Sequence, residues 1–368
     1  MCLVLPETFQ APDLRRISLH GVGLPKGLSF LSSTIALSTL TLTHIRHSCY
    51  FPPGHLVTQL RGLPHLGELS IGFTIPIPLP NSEEELIPAS APSVTLSTLR
   101  RLAFCGEDVY LDSLVAQIKT PLLERLDLTF FFDLTFTLVN LTEFIHRTEG
   151  FECIVARIVF NKDGASIDAG SSEQLGIAKL SLHVNCERLD WKLNSATQVC
   201  GALRNVLSAI KKLTLDLDVD VVQTDRENAL VSMPWDELLL PFTGVKKLYI
   251  SSSLTLGLSR ALQSVPEGSI LELLPELQEL DVQLEMDDAK NAFSAFLKIR
   301  KSLGRPVVLL TLPTRSRSTN LFDGHTFVKY VKNVGTSHRK QTMELISICR
   351  TFVQAQEQTL SSGNDLRR

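Results

Sequence analysis

Leu99-Arg100-Arg101-Leu102-Ala103-Phe104 and Leu123-Glu124-Arg125-Leu126-Asp127-Leu128 share one spacing: an apolar residue, two others, an apolar residue, one other, and a final apolar residue. Neither stretch holds Pro or Gly in its last three positions. The last two apolar positions alternate with one outward residue, the period of a short strand that buries one face. The first apolar position anchors the turn that leads into the strand. Working outward, the same spacing precedes these two at Leu14/Ile17/Leu19, Leu37/Leu40/Leu42 and Leu66/Leu69/Ile71. It follows them at Val155/Ile158/Phe160, Ile177/Leu180/Leu182, Ile210/Leu213/Leu215, Val245/Leu248/Ile250, Leu277/Leu280/Val282 and Val307/Leu310/Leu312.

Between these strands the apolar residues fall at helical intervals: Leu56, Leu60 and Leu63; Leu111, Leu114, Val115 and Ile118; Leu138, Leu141, Phe144 and Ile145. Val199, Leu203, Val206 and Leu207 continue the pattern, as do Ala289, Phe293, Phe296 and Leu297. Pro121, Pro241 and Gly304 mark returns from helix to strand. A unit of one strand and one helix cannot bury its apolar face alone, so neighbouring units must stack into a continuous core. The mean interval of roughly 29 residues is that of leucine-rich repeats. The expected fold is therefore an α/β leucine-rich-repeat solenoid with parallel strands on the concave face and helices on the convex face. Intervals of 22 to 35 residues, and the absence of a regular Asn or Cys after each strand, make it an irregular horseshoe. Residues 1–312 form about ten to eleven repeats, and 313–368 a basic linker with a C-terminal helix or tail. That last segment holds nine Lys and Arg against four Asp and Glu. The proline-rich stretch from Thr74 to Thr95 reads as a surface insertion.

Composition sets the outer bounds. With 368 residues, 44% hydrophobic but only 7% aromatic, the core is aliphatic and too large for a disordered chain. Even Leu122 to Leu141 is broken by Glu124, Arg125, Asp127 and Asp133, which excludes a membrane-spanning helix. The start lacks a basic region and meets Pro6 and Glu7 at once, against a secretory signal. Seven cysteines without any C-x-x-C read as reduced thiols of a cytoplasmic or nuclear protein.

The residue before the second apolar position of each strand points away from the core. That column reads Arg16, Thr39, Glu68, Arg101, Arg125, Arg157, Lys179, Lys212, Lys247 and Glu279. Six successive members, Arg101, Arg125, Arg157, Lys179, Lys212 and Lys247, predict a basic stripe about 24 Å long at the ordinary strand spacing. Its plain reading is a solvated face whose long side chains cover the sheet, diluted by acidic neighbours such as Glu124 and Asp127. Its functional reading is a partner-binding site for a protein with an acidic surface. A net charge of −3 and few interleaved aromatics argue against nucleic acid.

Motifs for chemistry are weak. Asp216, Asp218 and Asp220 with Glu227 have calcium-loop spacing, but Val221 stands where the sharp turn needs Gly. His44, His47, Cys49 and His55 crowd together without the second ligand pair of a structural zinc site. Gly21, Gly23 and Gly27 miss the dinucleotide spacing. No catalytic residues, metal or cofactor are assigned, and the chain is expected not to be an enzyme.

Several stretches resemble the leucine-rich regions of F-box proteins from mushroom-forming (basidiomycete) fungi: His47-Ser48-Cys49-Tyr50-Phe51-Pro52-Pro53, Leu69-Ser70-Ile71-Gly72-Phe73, residues 110–118 from Tyr110 to Ile118, and Thr129-Phe130-Phe131 followed by residues 144–148. Cys186 to Trp191, Leu239 to Thr243, Val245 to Tyr249 and Arg305 to Val307 continue the likeness, which covers about residues 5 to 312. The resemblance implies a substrate-recognition region, joined to a ubiquitin-ligase scaffold through an F-box upstream. The thirteen residues before Leu14 cannot hold that helical module, so a ligase scaffold is a partner only if an F-box is supplied upstream. The rival expectation is a free-standing repeat protein that binds a protein partner without any ubiquitin link.

Overall fold

Alternation decides the strands. Thr39–Ile45 buries Leu40 and Leu42, Arg101–Gly106 buries Leu102 and Phe104, and Arg125–Phe130 buries Leu126, Leu128 and Phe130, while the residues between them stay at least partly accessible. The computed structural model describes residues 9–22, 26–74, 93–131, 136, 138–171, 178–186, 189–218, 235–251, 253–255, 257–259, 273–282, 287–302, 304–313 and 327–331. The expected insertion at 75–92, Asp220 with Glu227, and the expected C-terminal helix around Met343 to Val353 lie outside these.

The chain is α/β. Its strands are β1 (Arg16–His20), β2 (Thr39–Ile45), β3 (Glu68–Phe73), β4 (Val94–Thr95), β5 (Arg101–Gly106), β6 (Ile118–Lys119), β7 (Arg125–Phe130) and β8 (Val155–Phe160). They continue with β9 (Gly164–Gly170), β10 (Leu180–Asn185), β11 (Lys212–Leu217), β12 (Lys247–Ile250), β13 (Glu279–Val282), β14 (Leu309–Pro313) and β15 (Phe327–Val331). The α-helices used below are α1 (Pro53–Leu60), α2 (Asp108–Ala116), α3 (Val139–Arg147), α4 (Leu189–Ala202), α5 (Arg204–Leu207), α6 (Trp235–Leu239) and α7 (Asp287–Ser302). Among the described residues thirteen strands form one sheet in the order β1-β2-β3-β5-β7-β10-β9-β8-β11-β12-β13-β14-β15, whose end strands β1 and β15 do not pair with each other, so that it is not a barrel. Every pairing in it is parallel except the two made by β9. β15 extends the sheet past Leu312, into the segment expected to be linker.

Register follows the leucine spacing closely. Leu40, Leu69, Leu102, Leu126 and Leu180 stand side by side on one half, and Leu213, Leu248, Leu280 and Leu310 on the other. A repeated backbone device fixes this register: the carbonyl before each strand accepts two N–H groups from the next unit. Arg15 O accepts from Ser38 and Thr39, Ser38 O from Gly67 and Glu68, Gly67 O from Arg100 and Arg101, and Arg100 O from Glu124 and Arg125. Ile154, Lys211, Lys246 and Gln278 carbonyls do the same for the units after them. Each such pair satisfies backbone groups that would otherwise be buried without partners.

The middle of the sheet departs from a simple stack. β10, not β8, lies beside β7, and β8-β9-β10 form an antiparallel meander whose far strand β8 then pairs with β11. The expected triad Val155/Ile158/Phe160 is corrected accordingly. Leu213 and Leu215 of β11 pair with Ala156 and Ile158, so the in-register unit is Cys153/Ala156/Ile158, all three buried. Cys153 and Ala156 are small, so this unit lacks the large aliphatic residues that mark the others.

Helices cover the buried face. Leu56 and Leu60 of α1, Leu111 and Leu114 of α2, and Leu141, Phe144 and Ile145 of α3 are fully or almost fully buried, each contributing about 1.5–3 kcal/mol of transfer free energy. Side chains also stitch helix to helix. Asp112 on α2 accepts hydrogen bonds from the Leu141 N–H at 2.9 Å and from Asn140 Nδ2 at 2.8 Å, capping the start of α3 from its neighbour. Tyr110 OH donates to the Phe51 carbonyl at 3.2 Å, and its ring packs on Phe73 and Phe104. On α7 the buried Arg300 guanidinium donates to the carbonyls of Leu273, Leu274, Pro275 and Leu277, tying the helix to the turn before β13.

Candidate protein-recognition face

The face of the sheet opposite the helices is lined by the alternate residues of each strand. Its first row contains Arg101 on β5, Arg125 on β7, Lys179 just before β10, Lys212 on β11, Lys247 on β12 and Glu279 on β13. Lys179 belongs to this row because its carbonyl accepts the Leu126 N–H while Leu180 pairs with Leu126. Between Lys179 and Lys212 the row is filled by Gly170 and Val155, both buried. Five of the six predicted basic residues therefore share a row, split by the two strands of the meander.

Arg157 does not share it. It pairs in register with Thr214 and Asp168, one row further along the strands, because the small Ala156 occupies the position that a leucine marks elsewhere. The second row reads Asp127, Ser181, Asp168, Arg157, Thr214, Tyr249 and Asp281 from β7 to β13. In the third row stand Thr129, His183, Ser166, Val159 and Asp216.

Acidic groups in these rows partner the basic ones. Asp127 accepts from Arg125 Nε at 2.8 Å and from Arg101 Nη2 at 2.9 Å, and Asp216 accepts from Arg157 Nη2 at 2.7 Å. Lys247 Nζ and Glu279 are 2.9 Å apart, Arg100 pairs with Glu124, and Lys179 Nζ donates to the Gly150 carbonyl. Ser181 Oγ donates to Asp168 at 2.7 Å. Arg101, Arg125 and Arg157 keep 38% to 47% of their side chains accessible. Ion pairs this exposed hold together weakly and exchange readily with a partner's charges.

Among the described residues three groups on the face have displaced titrations, the first being the Cys105 thiol on β5, which burial pushes up. Tyr249 is pushed above its ordinary value by burial, then by the carboxylates of Asp281 and Asp216, with Arg157 acting the other way. His183 is pulled down by burial, opposed by its bond to Asn185 and by Asp163 and Asp168. The net shift favours the neutral ring, whose Nδ1 lies 2.8 Å from Ser166 Oγ.

The other sequence candidates are not drawn together. His44, held at a positive φ of 56°, places its ring 3.8 Å from that of His20 instead of near Cys49, whose Sγ lies 3.8 Å from Ser48 Oγ. Asp216 of the acidic run is bound to Arg157. Among the described residues no three His, Cys, Asp or Glu gather around a point that could hold an ion, and no helix is long and apolar enough to cross a membrane. A separate groove of about 640 Å³ lies at the end of α3, where His146, Glu149, Glu152, Asn205 and Lys211 line it with mixed charge.

The acidic second row is what sequence reasoning missed. Its signal is in the spacing Arg125-x-Asp127 and Glu279-x-Asp281, two residues along one strand, but Asp168 enters through the antiparallel β9 and carries no such mark. Comparison with protein-family models and with curated proteins gives no match to this chain.

Proposed function

We propose that the chain is a non-enzymatic protein-recognition scaffold, a leucine-rich-repeat solenoid of irregular horseshoe shape whose open sheet face selects a protein partner. In the fuller form of this reading it is the substrate-binding region of an F-box-type ubiquitin-ligase receptor, acting in the cytoplasm or nucleus, with the ligase scaffold recruited by an F-box joined to it. The observation that carries the reading is the open face itself. Across β5 to β13 it presents charged and hydroxyl side chains in rows held by a repeated backbone register, on a sheet whose other face is filled by aliphatic core. Such a face offers many weak, exchangeable polar contacts over a long surface, which suits recognition of another protein and its register.

The test is quantitative affinity isolation from cells with wild-type chain and with Arg101→Glu/Arg125→Glu/Lys179→Glu. The expected result is loss of the wild-type partners from the variant at unchanged circular dichroism and melting temperature. Equal recovery of the same partners by a folded variant would contradict the role of this face.

A further inference from the structure

The charges on the open face are sorted by sign along the strand direction. At the first positions from β5 to β12 stand Arg101, Arg125, Lys179, Lys212 and Lys247, with the buried Gly170 and Val155 between Lys179 and Lys212, and with Glu68 on β3 and Glu279 on β13 at either end. Two to four residues further on stand Asp127, Asp168, Asp216 and Asp281, with Arg157 the one cation among the described strand positions there from β7 to β13. The face thus has a basic lane near the strand N-terminal ends and an acidic lane beside it, about 7 Å away for a two-residue step. The basic lane runs across the strands from β5 to β12 and the acidic lane from β7 to β13, and six strand steps at about 4.8 Å make each about 29 Å long. Arg101, Arg125, Arg157 and Lys247 are half-exposed, and their pairs with Asp127, Asp216 and Glu279 are ones a partner can exchange.

Resting on the reading of this face as a recognition surface, we propose that its occupant is an α-helix of a protein partner, about 19 residues long, lying across the strands with acidic side chains on one flank and basic side chains on the other. Charge complementarity dictates the two flanks: the partner's carboxylates lie over Arg125, Lys179 and Lys212, and its cations over Asp127, Asp168 and Asp281. Pitch selects the helix. Residues on one flank of a helix recur about every 5.4 Å, close to the strand spacing of about 4.8 Å. Same-side residues of an extended segment recur only every 6.6 Å or so and fall out of step within two strands. The helix body, roughly 10 Å across with side chains, is wider than the separation of the lanes, so its two flanks overlie both. Tyr249 and Thr214 lie in the acidic lane as uncharged hydrogen-bonding contacts for the underside of the helix.

The experiment measures fluorescence anisotropy of the full chain with four synthetic helices of about 19 residues: Glu on one flank with Lys on the other, the same composition with mixed flanks, Glu on both, and Lys on both. A fifth probe is an extended Pro-flanked peptide with alternating Glu and Lys. The split-flank helix is expected to bind about tenfold tighter than the mixed one. Asp168→Lys/Asp281→Lys, with fold checked by circular dichroism, is expected to shift preference to the Glu-only helix. Equal affinity for split and mixed helices overturns the proposal. Tightest binding of the Glu-only helix by the wild-type chain removes the acidic lane while leaving a basic recognition face intact. Tightest binding of the extended peptide removes the helix while leaving the two lanes, and binding of none of the probes overturns the proposal together with the reading it rests on.

Discussion

Arg157 on β8 and Asp216 on β11 meet at 2.7 Å although 59 residues of chain separate them. The contact exists because the meander β8-β9-β10 displaces β8 away from β7 and lays it against β11. It joins the two halves of the open face, and Tyr249 on the next strand feels both charges.

Arg157→Ala tests that coupling. The pair is half-exposed, so its loss is expected to cost under ~1 kcal/mol in stability. Tyr249, already raised chiefly by burial, loses its one opposing cation and is expected to titrate higher still. Phenolate absorbance of the variant, compared with Tyr249→Phe to identify the residue, measures this. An unmoved or lowered titration would show that the guanidinium does not act on the ring.

Tyr110 sits in the layer beneath. Burial, and then Tyr50, hold its hydroxyl well above the ordinary tyrosine range. The fold favours the neutral phenol, so its contribution is complete below about pH 10 and is lost as pH rises through the folded-state value. Tyr110→Phe removes the hydrogen bond to the Phe51 carbonyl and is expected to cost ~1 kcal/mol at neutral pH. It should also flatten the alkaline fall in stability, read from urea melts between neutral and alkaline pH.

The meander depends on close backbone approach. A Cβ on Gly164 would stand 1.9 Å from the Val184 carbonyl oxygen on β10. Gly164→Ala is expected to destabilise by ~2 kcal/mol or more, and Ala156→Leu by ~1–3 kcal/mol through overpacking. Chemical denaturation measures both. A neutral Ala156→Leu would mean that position 156 is not the small member of a leucine row.

How much of this was legible in the sequence follows from the same residues. Leu69, Leu102, Leu126, Leu248 and Leu280 announced themselves because large aliphatic residues at a strand period have no other use, and all stand in register. Helices α1, α2 and α3 follow the expected leucine spacings. The meander was hidden because Cys153 and Ala156 are small, and because strand order across β7 to β11 is set by long-range pairing that no local pattern encodes. That concealment moved Arg157 out of the predicted stripe. The basic row was otherwise legible, whereas the acidic row depends on Asp168, brought in by a strand that runs the other way.

Arg300 was equally invisible, a cation inside an amphipathic helix pattern. Its four carbonyl contacts and the Phe296 ring 5.7 Å away account for its burial, which pulls its pKa below the ordinary value. Arg300→Met removes the guanidinium donor from the carbonyls of Leu273, Pro275 and Leu277, while Leu274 keeps the Leu277 N–H, and is expected to cost ~2–3 kcal/mol, because orphaned buried acceptors outweigh the relief of burying a charge. Thermal melts check it, and an unchanged or higher melting temperature would make Arg300 a burden on the fold instead of a tie.

The central claim is that the open sheet face, and not the helical layer, meets the partner. A photo-crosslinking amino acid placed at Thr214, midway along that face, and in a second chain at Val139, 72% exposed on α3, compares the two surfaces in cells. Crosslinks to a partner from position 214, lost on adding Arg125→Glu/Lys179→Glu, with none from position 139, are the predicted result. Crosslinks from position 139 with none from 214 would contradict it.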